Sequence, residues 1–451
     1  MAAPDFIAAW MDSSNGIDMQ EVIGKCSGRR RAQRSAWPAL VLAAMLGLAT
    51  GTCQLAKAQT FTVLYSFAGY PTDGAGSVAG LVMDASGNLY GTTTYGGNVN
   101  LSYCGSSGYS GCGTVFKLDT NGKETVLHNF AGADGANPNA SVIMDARGSL
   151  YGTTEFGGRL QDCTGNGSEG CGVVFKLRGN KETVLYPFCS VGSCEDGAEP
   201  LAGLVMDRKG TLYGTAYLGG SPGYGVVFKL AGTKETVLHA FTGFPDGAYP
   251  IGGLIIDGNG NLYGTASEGG RRNLNCEGCG TVFKLAGRKM TVLHAFKGTP
   301  DGDRPAAELF MDINGNLYGT TAFGGNDYSL GTVFEVSAEG KEHVLYRFGP
   351  PLDHAGFYPE SRVVRDAEGN LYGTTPEGGK FGAGIVFEVS KDGTEKVLHS
   401  FCSAKNCADG VYPYGDLIMD AMGNLYGTTF GGGANRSGTI YKITLHSPNA
   451  P

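Results

Sequence analysis

Tryptophan is nearly absent from this chain: there are two, Trp10 and Trp37, both close to its start. Positive charge is scarce as well, with 34 Lys and Arg against 42 Asp and Glu for a formal net charge of −8. That balance argues against nucleic acids and anionic membranes as partners, since both are held by cationic surfaces. No His-Glu-x-x-His or Walker pattern occurs, so zincin and P-loop chemistry lack their signatures. No long segment keeps a helical apolar period, and no Pro-rich or Ser-rich linker interrupts the chain after Gln59. The apolar run from Ala39 to Ala49 would span under ~20 Å as a helix, too short for a hydrocarbon core of about 30 Å.

That run belongs to a segment that differs in kind from the rest. Arg29, Arg30, Arg31 and Arg34 precede it, and Ala56-Lys57-Ala58 follows with small residues where a signal peptidase reads. Residues 1–58 are therefore expected to be a signal peptide with an extended n-region, cleaved after Ala58. A retained membrane anchor is the alternative. The cleaved chain loses both tryptophans and keeps 28 basic and 38 acidic residues, a formal charge of −10. Residues 59–445 are expected to form one domain, with 446–451 a short tail carrying no hydrophobic anchor.

Ten cysteines remain after cleavage, in five close pairs: Cys104/Cys112, Cys163/Cys171, Cys189/Cys194, Cys276/Cys279 and Cys402/Cys407. An even number in local pairs on an exported chain predicts five loop-closing disulfides made in an oxidising compartment, whether periplasm, cell surface or medium. Cys276-x-x-Cys279 alone has zinc-like spacing, without a second such pair nearby. No metal and no cofactor are expected.

What the chain has in abundance is glycine, 76 residues, together with 22 Tyr and 22 Phe. It also repeats itself. Leu-Tyr-Gly-Thr recurs seven times, with tyrosines at Tyr90, Tyr151, Tyr213, Tyr263, Tyr318, Tyr372 and Tyr426, spaced 50 to 62 residues apart. This spacing is too long for a solenoid coil and suits a four-stranded propeller blade with its loops. Each copy holds four apolar-rich runs of strand length, designated a to d; in the first copy these are 81–84, 88–94, 113–118 and 125–130. Strands a and b are joined by turns such as Asp84-Ala-Ser-Gly87-Asn88, where Asp bonds its own turn and Gly takes positive φ. The first d pattern, Thr62 to Phe67, precedes the first a, while the last copy ends after its c strand. The sequence thus predicts an all-β, seven-bladed β-propeller of four-stranded antiparallel blades, its ring closed by the N-terminal strand.

The recurring Gly-Asn-Leu-Tyr-Gly-Thr-Thr, followed by Gly-Gly and then Gly-Thr-Val-Phe-Lys-Leu, resembles the tandem repeat of bacterial choice-of-anchor proteins of the GloVer type over essentially all of 60–445. The resemblance implies an exported or surface repeat protein and brings no catalytic residues with it.

The order a-b-c-d places the d–a and b–c connections on one face of the disc. All five cysteine pairs lie in those connections, and the copies differ most there, so this face is where binding is expected. The d–a connections repeat Asp-Gly-x-x-Pro, as in Asp134 to Pro138, which reads as turn chemistry. The histidines His128, His239, His294 and His399 stand in d strands of different blades and are expected to pack, since they cannot converge on one ion.

Positions that change between copies carry the asymmetry a ligand needs. Four residues before the strand-a aspartate, copies one to four place Gly80, Ser141, Gly203 and Gly253, while copies five to seven place Glu308, Arg362 and Asp416. An acid, a base and an acid are therefore expected side by side at the channel mouth, either as an ion-pair network or as a polar binding patch. Tyr249, Arg304, Tyr358 and Tyr412 would form its rim. The functional expectation is a non-enzymatic, monomeric propeller that binds an extracellular glycan or protein. The alternatives are a polysaccharide hydrolase or lyase with carboxylates at the channel mouth and a structural surface or adhesion component.

Overall fold

The computed structural model describes residues 59–99, 101, 104, 109–159, 170–272, 276, 278–350 and 355–445. Seven four-stranded antiparallel sheets form a ring, a seven-bladed β-propeller. Blade one consists of strands a Val82–Met83, b Leu89–Thr93, c Thr114–Leu118 and d Glu124–Asn129. Blade seven takes strands a to c from Ile418–Met419, Leu425–Thr429 and Thr439–Thr444, and its d strand is the N-terminal Thr60–Ser66. Thr60 pairs with Thr444 and Ser66 with Thr439, so the two ends of the domain share one sheet. This closure removes the open edge that would otherwise template association. Apart from one 3₁₀ turn, Lys405–Cys407, the domain is strands and loops among the described residues, and no helix there is long and apolar enough to cross a membrane.

Each letter of the repeated tetrad has a physical task. The leucine is buried in every blade. The tyrosine hydroxyl donates to the Oδ2 of the a–b turn aspartate, Tyr90 to Asp84 and Tyr372 to Asp366, at 2.8 to 3.3 Å across the seven blades. The glycine admits the aromatic ring of strand c: a Cβ at Gly91 would lie 2.7 Å from Phe116 Cζ. The threonine hydroxyl donates to a carbonyl of the next blade at 2.8 to 3.4 Å, the series ending with Thr428 on Ala79, which crosses the closing seam. Each such bond contributes about 1 kcal/mol.

A second inter-blade seal is aromatic. The phenylalanine directly after each d strand meets the strand-c ring of the next blade edge to face, Phe67 on Phe116 through Phe401 on Tyr441, with centroids 5.1 to 5.4 Å apart. The d strand also contains a β-bulge not legible in its Val-Leu-His pattern. Phe116 pairs with Val126 and Val115 with His128, leaving Leu127 without a partner residue, and the same shift recurs in every blade. A bulge strengthens local twist. The freed leucines pack into the core between blades, as Leu185, Leu238, Leu293, Leu345 and Leu398 do.

Candidate functional site

The loop face is built on the Asp-Gly-x-x-Pro connections. Their aspartate accepts from the His or Tyr two residues before the phenylalanine that follows strand d: His239 Nε2 lies 2.7 Å from Asp246, and the Tyr186 hydroxyl 2.6 Å from Asp196. The same carboxylates take main-chain N–H groups, Ala131 on Asp134 and Ser403 on Asp409. The histidines are therefore more than packing residues, and their exchange with tyrosine is explained, because either side chain supplies the donor.

The residue before the proline has left-handed backbone in six blades: Asn137, Glu199, Tyr249, Arg304, Tyr358 and Tyr412, with φ between 53° and 59°. Gly76 holds this place in the seventh. Each donates its N–H to the loop just ahead of the neighbouring strand c, as Tyr249 does to Tyr224 O and Arg304 to Cys279 O. Cys112, Cys171 and Cys279 all stand at this clamping point. The disulfides Cys104–Cys112, Cys189–Cys194, Cys276–Cys279 and Cys402–Cys407 join sequence neighbours. Cys171 is also disulfide-bonded, while its expected partner Cys163 lies outside the described residues.

The left-handed side chains sit in an arc of rings and charges. Tyr249 contacts Tyr217 and Tyr224 at centroid distances of 5.1 and 5.6 Å. Arg304 reaches Glu268 at 3.8 Å and lies over Phe323, which also meets Tyr358 at 5.2 Å. Tyr412 packs with Tyr414, Tyr109, Tyr95 and Phe430.

Inward of this arc, the register position four residues before each turn aspartate closes a ring around the axis. A Cβ at Gly80 would lie 2.9 Å from both Asp416 Cβ and Ser141 Oγ, and one at Gly253 would lie 2.8 Å from Glu308 Oε2. Within that ring, Arg362 Nη1 is 2.7 Å from Glu308 Oε1, and the Arg362 main-chain N–H donates to Asp416 Oδ1 at 2.6 Å. The trio is thus brought together, but Asp416 engages the arginine backbone while Glu308 holds the guanidinium. Burial pushes the Glu308 carboxyl up, opposed by Arg362 and reinforced by Asp416, whereas Glu308 strengthens the charge on Arg362. The side chains of Arg362 and Glu308 keep 28% and 24% of their surface exposed. They are enclosed by protein on the channel wall yet still reached by water, so the ion pair is screened and worth less than a dry one.

Sequence reasoning missed Glu360 and Glu377. Glu360 follows the proline of blade six, two residues before Arg362, and its carboxyl is pushed up to about 8 by burial and then by Glu377, against Arg304. Burial also raises Glu377. They come from a d–a and a b–c connection, so only the folded chain couples them. Also unseen were two groups that assemble across blades, His128/Asp134/Glu182 and His294/Asp301/Glu342, each with ligand-type atoms within 4.8 Å of one another. The glutamate in each comes from the following blade, which a search for converging histidines does not find. Gly219-Gly220-Ser221-Pro222-Gly223 spells the Gly-x-Ser-x-Gly of serine hydrolases, but it leads from strand b to strand c, whereas a nucleophile elbow joins a strand to a helix.

The model of the Gloeobacter/Verrucomicrobia repeat matches residues 54–276, 163–355 and 272–450, and the chain belongs to that family. No curated protein matches it. Among solved structures, PorZ, a surface component of the type-IX secretion system of Porphyromonas gingivalis, aligns with TM-score 0.50 and 16% identity, over 84% of this chain and 48% of PorZ. The extracellular domain of BT4673 from Bacteroides thetaiotaomicron gives TM-score 0.49 and 10% identity, over 84% and 39%. XC5397 from Xanthomonas campestris, a gluconolactonase, gives 0.35 and 14%, over 60% and 78%. The chain spans about half the length of PorZ and less of BT4673. At these identities the likeness concerns the fold alone.

Proposed function

We propose that this protein is an exported, non-enzymatic propeller that binds an extracellular glycan or protein through its disulfide-clamped loop face. Residues 1–58 act as its signal peptide. Glu308, Arg362 and Asp416 form the floor of the site at the channel mouth, with Tyr249, Arg304, Tyr358 and Tyr412 as rim.

The observation that carries this reading is the left-handed backbone at the rim. A non-glycine residue there costs about 1 kcal/mol or more, and Gly76 marks what an unstrained copy uses. Strain kept at four adjacent large side chains supports a role for those side chains, and disulfides stiffen the surroundings of two of them, Cys276–Cys279 where Arg304 clamps and Cys402–Cys407 ahead of Tyr412. Tyrosine rings offer apolar faces for sugar stacking and hydroxyls for its polar edge. The disulfides agree with an oxidising compartment, as does the surface setting described for PorZ.

One observation favours the enzymatic alternative: Glu360, pushed up to about 8, keeps its proton at neutral pH as a general acid must. A glycan array probed with the exported protein, run beside a polysaccharide turnover assay, separates the two. Binding without turnover supports the first reading, and product release abolished by Glu360→Gln replaces it with the second.

A further inference from the structure

Outside the channel mouth, a cavity of about 920 Å³ opens where blades four and five meet. Three segments line it: the b–c loop of blade four with Arg271 and Arg272, the following d–a connection with Lys297 and Asp301, and the d strand of blade five with Glu342 and Arg347. Four cations face two carboxylates, in a domain whose net charge is strongly negative. The other blades serve as controls. At the place of Lys297 they carry Ala68, Ala131, Cys189, Thr242, Gly349 and Cys402; at the place of Arg347 they carry Ser66, Asn129, Pro187, Ala240, Ala295 and Ser400. All are uncharged; a cation recurs only at the place of Arg271, as Arg159 in blade two and Lys380 in blade six, so the combination of four belongs to this junction.

The cluster is also positioned. Arg347 Nε donates to Pro300 O at 2.9 Å, which fixes the plane of its guanidinium at the cavity wall. Arg272 is seated over the Phe244 ring at 4.5 Å. Asp301 Oδ2 is held by His294 Nε2 at 3.1 Å, which anchors this carboxylate at the wall, and Glu342 lies beside it.

We propose that this cavity is a subsite for an acidic saccharide. Guanidinium forks match a carboxylate or sulfate with two parallel hydrogen bonds. The two carboxylates then take the hydroxyls that a sugar carries and a simple anion lacks. The volume exceeds what an inorganic ion needs and suits a small saccharide. The site draws on the b–c loop that also carries the Cys276–Cys279 disulfide, and so deepens the reading of the clamped face as a binding face; it does not depend on the Glu308, Arg362 and Asp416 trio.

The test is calorimetric titration of the exported full-length protein with trigalacturonate, a sulfated heparin disaccharide, neutral maltotriose and inorganic sulfate. An acidic sugar should bind and maltotriose should not, and binding should weaken as ionic strength rises to roughly 0.15 M, where the screening length is about 8 Å. Preference between uronate and sulfated sugar identifies the acid group. Arg272→Ala and Arg347→Ala should each weaken binding about tenfold or more. If Arg347→Ala misfolds, Arg271→Ala and Arg272→Ala, both in an exposed loop, carry the test. Absence of acidic-sugar binding, equal binding of maltotriose, sulfate binding as tightly as the sugars, or retention of affinity in the Arg272 and Arg271 variants overturns the assignment. Loss of binding in Arg362→Ala with retention in Arg272→Ala returns the ligand to the channel mouth.

Discussion

Raising the pH from about 5 to about 8 should destabilise this propeller, because of a repeated glutamate on the outer strands. Glu124, Glu182, Glu235 and Glu395 occupy equivalent d-strand positions, and each has one carboxyl oxygen that meets no hydrogen-bond partner. Burial raises all four. Asp73 adds to it at Glu124, which reaches about 8, and Asp196 at Glu235, which reaches about 7. Glu182 reaches about 7 with His128 opposing and Asp134 reinforcing, and Glu395 reaches about 7 from burial alone. A carboxyl whose pKa rises on folding binds more protons in the folded than in the unfolded state between roughly pH 4.3 and its folded value. Stability then falls as pH climbs through that window. The groups are only partly shielded from solvent, so each is allowed about 1 kcal/mol or less over the whole window. Together that amounts to a few degrees of Tm in a domain of this size. Two contributions oppose it: burial lowers His399, which favours the fold as pH rises toward about 6.5, and a second trend lies at lower pH. Burial alone would raise Asp84 and its equivalents, but bonds from Asn88, Tyr90 and Ser86 hold Asp84 below its usual value, so that contribution is present above roughly pH 3.9 and lost below it. Calorimetric Tm measured across pH should peak on the acid side of neutrality, and the combined Glu→Gln changes at 124, 182, 235 and 395 should flatten the decline. A Tm that rises from pH 5 to 8, or a decline unaffected by the glutamines, refutes the reasoning.

Peptide mapping of the native exported protein should recover five disulfides between sequence neighbours and no free thiol; a peptide joining Cys104 to Cys163 would contradict the loop assignment. Deletion of residues 60–68 removes the strand that closes blade seven and should lower Tm far more than deletion of 446–451, so equal melting would exclude the closure. Phe67→Ala, which empties the aromatic seal across the closing seam, should cost about 3–5 kcal/mol by denaturant unfolding, as should Phe241→Ala within the ring. The mature protein should start near Gln59 and show no tryptophan emission, which N-terminal sequencing and fluorescence check directly.

The blade count, the strand order and the closing strand were legible because they depend on period and on which pattern stands first and last. The duties of the tetrad were not. The Tyr90 hydroxyl bonds an aspartate six residues back, and Thr92 bonds Ala140 in another blade, contacts that exist only once strands pair. Val-Leu-His reads as plain alternation, so the bulge at Leu127 and its equivalents left no local mark. Alignment of the copies put Glu308, Arg362 and Asp416 in one register, and the ring brings that register together. It gave no hint that Tyr249, Arg304, Tyr358 and Tyr412 are left-handed, since large side chains are rare there; Gly76 at the same place in one copy was the available signal. Glu360 and Glu377 escaped because neither is unusual within its own loop.

Arg362→Ala tests most directly whether the channel mouth of the clamped face is a binding site. The variant and the wild type should be compared on the same glycan array and by the same thermal melt. Because water reaches Arg362 and Glu308, loss of the guanidinium should cost about 1 kcal/mol or less, leaving Tm nearly intact while the wild-type binding signal from neutral glycans disappears. An unchanged array profile, or a large fall in Tm with binding retained, would make the trio a fastening between blades and contradict the claim.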